Sequence, residues 1–170
     1  METIFIRPIE EHDAEDLFYL VNESKEHLGL FLPWVYSIHN IEDELKFIQS
    51  VHNKQLSKQQ YTFVIEKSDK IVGIIDLHNV DFNNYQAEVG YWLSKKYTGQ
   101  GIISNALQQI HNFAFKKLKL HKLIILVDEK NNKSIQVAKR ANYFYEGKFI
   151  EDQYYNDAYH NFYRFAFINR

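Results

Sequence analysis

The spacing of apolar residues changes along the chain, and each change predicts an element. "TIFIRP" alternates and reads as a first strand closed by Pro8. Leu17, Leu20 and Val21 then recur at helical spacing behind Asp13, a residue suited to capping, and predict a helix that ends near Glu23. The period fails in "HLGLFLPWVYS", where Gly29 and Pro33 punctuate the chain. A second helix is predicted behind Asn40 as cap, with Asp43 as its capping-box partner and Leu45, Ile48 and Val51 as its buried stripe.

From Tyr61 the pattern turns β-rich. "YTFVIEK" and "KIVGIIDLHNV" flank the tight turn "SDK", and "FNN" leads into "YQAEVGYWL", so three strands are expected as an antiparallel meander. Leu107, Ile110, Ala114 and Leu118 return to helical spacing. "KLIILV" reads as a short buried strand, "NNKSIQVAKRAN" as a capped helix, and "YFYEGKFI" and "AYHNFYRFAFI" as two closing strands. The predicted order is β-α-α-β-β-β-α-β-α-β-β. That order predicts an α+β (mixed α/β) fold in one domain, residues 1–170, with a central, mostly antiparallel sheet flanked by helices.

The 170 residues suffice for one sizeable core, and the 16% aromatic content predicts ring-lined pockets. A formal net charge of −2 argues against nonspecific nucleic-acid binding. The absence of cysteine removes disulfides and thiol catalysis. The eight histidines are scattered with no metal-ligand spacing, so no metal is expected. "METIFIRPIE" has no apolar signal core and no long apolar run follows, so the expectation is a cytoplasmic protein without membrane contact.

"KKYTGQGIISNAL" places two of the chain's six glycines just before a helix. A helix start offers unpaired N–H groups and partial positive charge, and glycine lets an anion approach the backbone closely. Main-chain amides from Thr98 through Gly99, Gln100, Gly101, Ile102 and Ile103 to Ser104 are therefore a candidate pyrophosphate cradle, with Lys95 and Lys96 nearby. The alternative is a plain strand-to-helix turn. A P-loop would need Lys after Gly101, where Ile102 stands, and a dinucleotide fingerprint would need glycine at position 104, where Ser stands.

"IVGIIDLHNV", "AEVGYWL", "GQGIISNAL" and "NNKSIQVAKRANYFYEG", in this order and spacing, resemble the GNAT acetyltransferases, and within them the branch that acetylates the N-termini of ribosomal proteins. The likeness covers essentially the whole chain and is sharpest from Val72 to Gly147. Thr98 replaces the longer polar residue usual in the family's loop, and Ile103 replaces its small residue, as in the ribosomal branch. The resemblance implies the GNAT fold, with a twisted sheet, and acetyl-CoA as acetyl donor. Its pantetheine arm would bond to the main chain of Trp92, Leu93 and Ser94, where the strand Ala87 to Ser94 splays from the "KLIILV" strand and Gly90 permits a bulge. A main-chain N–H near Val89 or Gly90 would face the oxyanion.

The resemblance also implies catalytic groups. Glu88 is the candidate base, its pKa raised by burial; the alternative is a solvent-facing carboxylate or a lysine partner. Asp76 and His78 share a face with each other, to orient the acceptor, relay a proton, or serve structure alone. Ser134 would hydrogen-bond or protonate the leaving thiolate, or merely cap its helix, and Asn131 would contact pantetheine, cap the helix, or both. Tyr143 reads as core. Leu32, Trp34 and Tyr36 are candidate walls of an acceptor groove, with Glu151, Asp152 and Asp157 as its acidic rim. The expected acceptor is a peptide or protein N-terminus, that of a ribosomal or other protein. The rivals are a small amine such as a polyamine or aminoglycoside, and a CoA-binding sensor without turnover. The branch also admits a homodimer.

Overall fold

A computed structural model describes residues 3–170. Seven strands form one sheet in the order β1-β2-β3-β4-β5-β7-β6. They are β1 Ile4–Pro8, β2 Tyr61–Lys67, β3 Lys70–Asp81, β4 Gln86–Leu93, β5 Lys122–Asp128, β6 Phe144–Tyr155 and β7 Ala158–Ile168. Every neighbouring pair is antiparallel except β4 and β5. Ser68 and Asp69 both take positive φ, as a two-residue hairpin demands, and set the register of β2 on β3.

The helices are α1 Ala14–Glu23, α2 Lys25–Gly29, α3 Ile41–Leu56, α4 Ile102–Asn112 and α5 Asn132–Arg140. Two cores lie on opposite faces of the sheet. One joins Ile9, Leu17, Leu20, Val21, Ile48 and Val51 with Val64, Ile74 and Trp92. The other joins Leu77, Val89 and Leu93 with Ile102, Leu107, Ile110 of α4 and Ile135, Ala138 of α5. Alternate residues of β4 thus feed opposite cores, as the strand period requires.

Several local expectations need correction. The broken segment "HLGLFLPWVYS" holds the end of α2 and a 3-10 turn, Pro33–Ser37, begun by the proline. Asn40 caps α3 by accepting the N–H of Asp43, and the Asp43 carboxylate accepts in return from the His39 N–H, one residue before the cap, more strongly than from that of Asn40. Asp13 makes no capping bond to α1; its carboxylate takes both ends of the Arg7 guanidinium and the N–H of Glu10. On α3 the buried stripe is Glu44, Ile48 and Val51, and Leu45 is only half-buried. Gly90 pairs in register with Asp76, so β4 carries no bulge there. A Cβ at Gly90 would instead stand 2.9 Å from Asp76 Oδ1 and 3.2 Å from the His78 ring.

Candidate active site

The parallel ladder between β4 and β5 is short: Gln86↔Lys122, Ala87↔Leu123 and Glu88↔Ile124. Beyond Glu88 the two strands part. The direction of each main-chain group on β4 follows from the antiparallel alternation. Ser94 gives its N–H to the Val72 carbonyl, so Trp92 and Gly90 also face β3. The Tyr85 carbonyl receives the N–H groups of His121 and Lys122, so Tyr91 and Leu93 face the β5 side, where no strand stands opposite. Of the three residues expected to offer main-chain bonds, Leu93 alone turns its main chain toward the parted side. Trp92 is engaged with Ile74, and the Ser94 carbonyl accepts from Tyr97 while its buried hydroxyl meets Ser24. Tyr91 joins Leu93 instead. Gly90 is likewise unavailable to an oxyanion, because its N–H is shared with Asp76 Oδ1 at 3.2 Å.

The gap opens into a cavity of about 700 Å³ lined by Tyr91, Trp92, Leu93, Thr98 and Gly99 on one side, and by α5 and the end of α2 on the others. Gly99 and Gly101 take φ of 77° and 73°, a conformation that penalises a side chain. Gly101 begins α4 with no side-chain cap, and the first bonded N–H is that of Asn105 at 3.2 Å from the Gly101 carbonyl. The N–H groups of Ile102, Ile103 and Ser104 therefore point out of the helix start. The side chains of Ile102 and Ile103 are core, so these two residues offer main chain only. Thr98 gives its hydroxyl hydrogen to the Lys95 carbonyl, and Gln100 reaches the Lys96 carbonyl and accepts from Lys67. Both polar side chains thus rigidify the loop.

The cavity is electropositive. Lys130, Lys133 and Arg140 line it, and the pKa of His27 is lowered by burial, then by Lys133 and Lys95. Asn131 accepts the Ser134 N–H at 3.2 Å and so caps α5. Ser134 is consequently free of capping duty. Its hydroxyl lies 2.7 Å from that of Tyr91, and both residues line the cavity. Burial pushes the Tyr91 phenol up to about 12, against a smaller opposite effect of its bond to Ser134. Tyr143 is core, its hydroxyl 2.8 Å from His111 Nε2.

On the other face of β4, at the mouth of the gap, Asp76, His78 and Glu88 form a chain. The His78 ring places Nδ1 2.8 Å from Asp76 and Nε2 3.2 Å from Glu88. Both nitrogens face carboxylates, so the ring is doubly protonated. Burial opposes that charge, yet the bonds to Asp76 and Glu88 raise its pKa to about 9. The His78 bond in turn lowers the Glu88 pKa, outweighing burial, with Asn79 adding a second donor. The sequence-based expectation of a raised Glu88 is thus reversed: burial is there, but the imidazolium beside it wins.

The far wall is tied down by residues that the sequence did not single out. Asp128, at the end of β5, accepts from Tyr155 Oη, from His160 Nδ1 at 2.6 Å and from the Lys130 N–H at 2.7 Å. Asn156, in the β6–β7 turn, donates to the Gly29 carbonyl at 2.9 Å. Leu32 lines the cavity, while Trp34 sits 6.1 Å from Trp92 and Tyr36 is half exposed. Glu151, Asp152 and Asp157 are exposed on the β6–β7 hairpin. Among the described residues no group of three or more His, Asp or Glu is placed to hold a metal ion, and no helix is long and apolar enough to cross a membrane.

The profile of a known family, an acetyltransferase (GNAT) domain, matches residues 3–143. The chain belongs to this family. The ribosomal-protein-serine acetyltransferase of Escherichia coli is 34% identical over 161 residues, which span 93% of this chain and 88% of that protein. The putative ribosomal N-acetyltransferase YdaF of Bacillus subtilis is 30% identical over 99% of this chain and 93% of its own length. Among solved structures, RimL, a ribosomal-protein alpha-N-acetyltransferase in complex with coenzyme A, superposes with a TM-score of 0.93 at 26% identity, covering 98% of this chain and 94% of that one. This acetyltransferase therefore has the GNAT sheet and helices throughout its described length.

Proposed function

We propose that this acetyltransferase moves the acetyl group of acetyl-CoA to the N-terminal amine of a protein, with ribosomal proteins as the substrate class and the cytoplasm as its place of work. The observation that carries the donor assignment is the internal edge of β4 beside the α4 start. Tyr91 and Leu93 offer strand-like bonds to an amide-bearing tail. The amides after Gly101, with Lys130, Lys133 and Arg140 around the cavity, suit a pyrophosphate. The tail would reach the gap with its thioester between the Tyr91–Ser134 pair on one face and the Asp76–His78–Glu88 chain on the other.

Three services follow from these residues. The Tyr91 N–H, directed into the gap, would meet the acyl oxygen as negative charge develops. The Ser134 hydroxyl would hydrogen-bond the departing sulfur. Glu88, an ionised carboxylate, would hold the incoming ammonium rather than deprotonate it, since its low pKa makes it a weak base. His78 is already protonated near neutrality and cannot take the proton either. The amine must then lose its proton to water before attack. An α-amine, with a pKa of about 8, is substantially neutral at pH 7.5, whereas an alkyl amine near 10.4 is about 0.1% so. This favours a protein N-terminus over a polyamine.

The test is release of free thiol from acetyl-CoA with three acceptors: a peptide bearing a ribosomal-protein N-terminus, the same peptide with its α-amine blocked, and spermidine. Turnover is expected with the first alone, with kcat/KM rising with pH to a plateau above about 8. Equal turnover of spermidine would overturn the acceptor assignment. Coenzyme A binding with no thiol release for any acceptor would make the protein a sensor.

A further inference from the structure

Tyr91 contributes more to the gap than its main chain. Its side chain crosses to the α5 side of the sheet, where its hydroxyl has one partner among the described residues, Ser134 Oγ at 2.7 Å. The half-buried phenol finds no other acceptor for its hydrogen among the described residues. Ser134 has no competing partner to occupy its oxygen: the α5 cap is Asn131, which takes the Ser134 N–H and leaves the hydroxyl aside. A phenol hydrogen given to Ser134 Oγ would leave the Ser134 hydrogen turned away from Tyr91, toward the cavity that both line; the same 2.7 Å bond made in the reverse sense would not.

We propose that Tyr91 is a positioning residue for acetyl transfer: by donating to Ser134 it fixes that hydroxyl as a donor aimed at the departing sulfur. The proposal rests on the role given above to Ser134. The two bonds run in series, O–H to O–H to sulfur, and each polarises the next. In the transfer step the amine nitrogen forms the bond to the acyl carbon, the carbon–sulfur bond breaks, and the sulfur leaves with the electron pair. The proton lost by the nitrogen passes to solvent, and sulfur takes one from solvent. Tyr91 and Ser134 each keep their own proton. The phenol is a far weaker acid than a thiol of pKa about 8.5, so donation without transfer is the stable arrangement.

The experiment is a double-mutant cycle of Tyr91→Phe and Ser134→Ala in the full chain, read as kcat, KM for acetyl-CoA, coenzyme A affinity by calorimetry, and Tm. Phe keeps the ring in the core and the main chain in the gap. Tyr91→Phe should lower kcat about five- to tenfold, the usual weight of one hydrogen bond, with coenzyme A affinity unchanged within twofold. Ser134→Ala should lower kcat at least as much. The double variant should match Ser134→Ala within twofold, because Tyr91 acts only through Ser134. Full activity of Ser134→Ala would remove the Ser134 role and this inference together. Loss in Ser134→Ala with wild-type kcat in Tyr91→Phe, or losses that multiply in the double variant, would overturn the inference alone. A change in KM and coenzyme A affinity with kcat intact would mark Tyr91 as merely structural and also overturn it.

Discussion

Glu44 is a carboxylate in the first turns of α3, 2% exposed, with one oxygen, Oε1, lacking any partner. Burial, followed by the nearby charge of Asp43, raises its pKa to about 7 from the ordinary 4.5. The folded state therefore binds a proton more tightly than the unfolded chain does. The stabilising contribution of that bound proton is fully present below pH 4.5 and is lost as pH rises through 7. A difference of 2.5 units at about 1.36 kcal/mol each gives a penalty of about 3 kcal/mol at pH 8. Glu44→Gln removes the titration while keeping the shape, and Glu44→Leu also removes the unpaired oxygen. Denaturant unfolding of the wild type and both variants at pH 5 and pH 8 measures the effect. The stability difference in favour of Gln should grow by about 2.5 kcal/mol between the two, or roughly 5–10 °C in Tm for a chain of this size. Leu should exceed Gln at pH 5 by the cost of one unsatisfied oxygen, about 1–3 kcal/mol. A difference between wild type and Gln that stays constant with pH would refute the buried-acid account.

His111 should act with the opposite slope. Burial holds its pKa at about 4, so its contribution is complete above 6.5 and falls as pH drops toward 4, by about 3 kcal/mol; an acid-side stability loss retained in the Glu44→Gln variant checks this, and a His111 ring that titrates near 6.5 by NMR refutes it. Gly101→Ala should cost about 1–2 kcal/mol of stability, because φ is 73° while its Cβ would meet nothing within 4 Å. The same change should weaken coenzyme A binding by tenfold or more in calorimetry, and unaltered binding would remove the loop from the donor site. Gly90→Ala should lower kcat while leaving coenzyme A affinity intact, since its methyl would press on Asp76 and His78 but not on the cavity; normal turnover would take that chain out of the reaction.

Local signals made most elements legible. Each of the eleven expected elements exists, because every one carries its own period, cap or turn chemistry, as with Asn40 before α3 and Ser68–Asp69 before β3. What escaped depends on neighbours distant in the chain. Tyr91 meets Ser134 across 43 residues only because β4 and β5 part and α5 covers the opening. Asp128 gathers Tyr155 and His160 from a hairpin 27 and 32 residues later. Glu44 reads as a solvated helical acid, because the stripe of Leu45, Ile48 and Val51 does not reveal that Glu44 rather than Leu45 takes its first buried position. For Glu88 the burial was foreseeable but not its sign, which is set by an imidazolium ten residues away on β3. The direction of main-chain groups on β4 is a matter of parity, and a one-residue choice separated Ser94 from Tyr91.

Under the proposed function, the parted edge of β4 would write donor recognition into peptide units rather than side chains. Apolar exchanges of similar volume at Leu93 then alter packing while leaving the amide in place, so that position tolerates drift in a way a side-chain contact would not. Proline is the exception. Because the Leu93 N–H takes no part in the ladder with β3, an imino acid there leaves the sheet's own bonds standing and deletes one donor from the gap. Scanning mutagenesis at Leu93 would register that asymmetry as a loss of donor binding with proline where apolar residues of similar volume are tolerated.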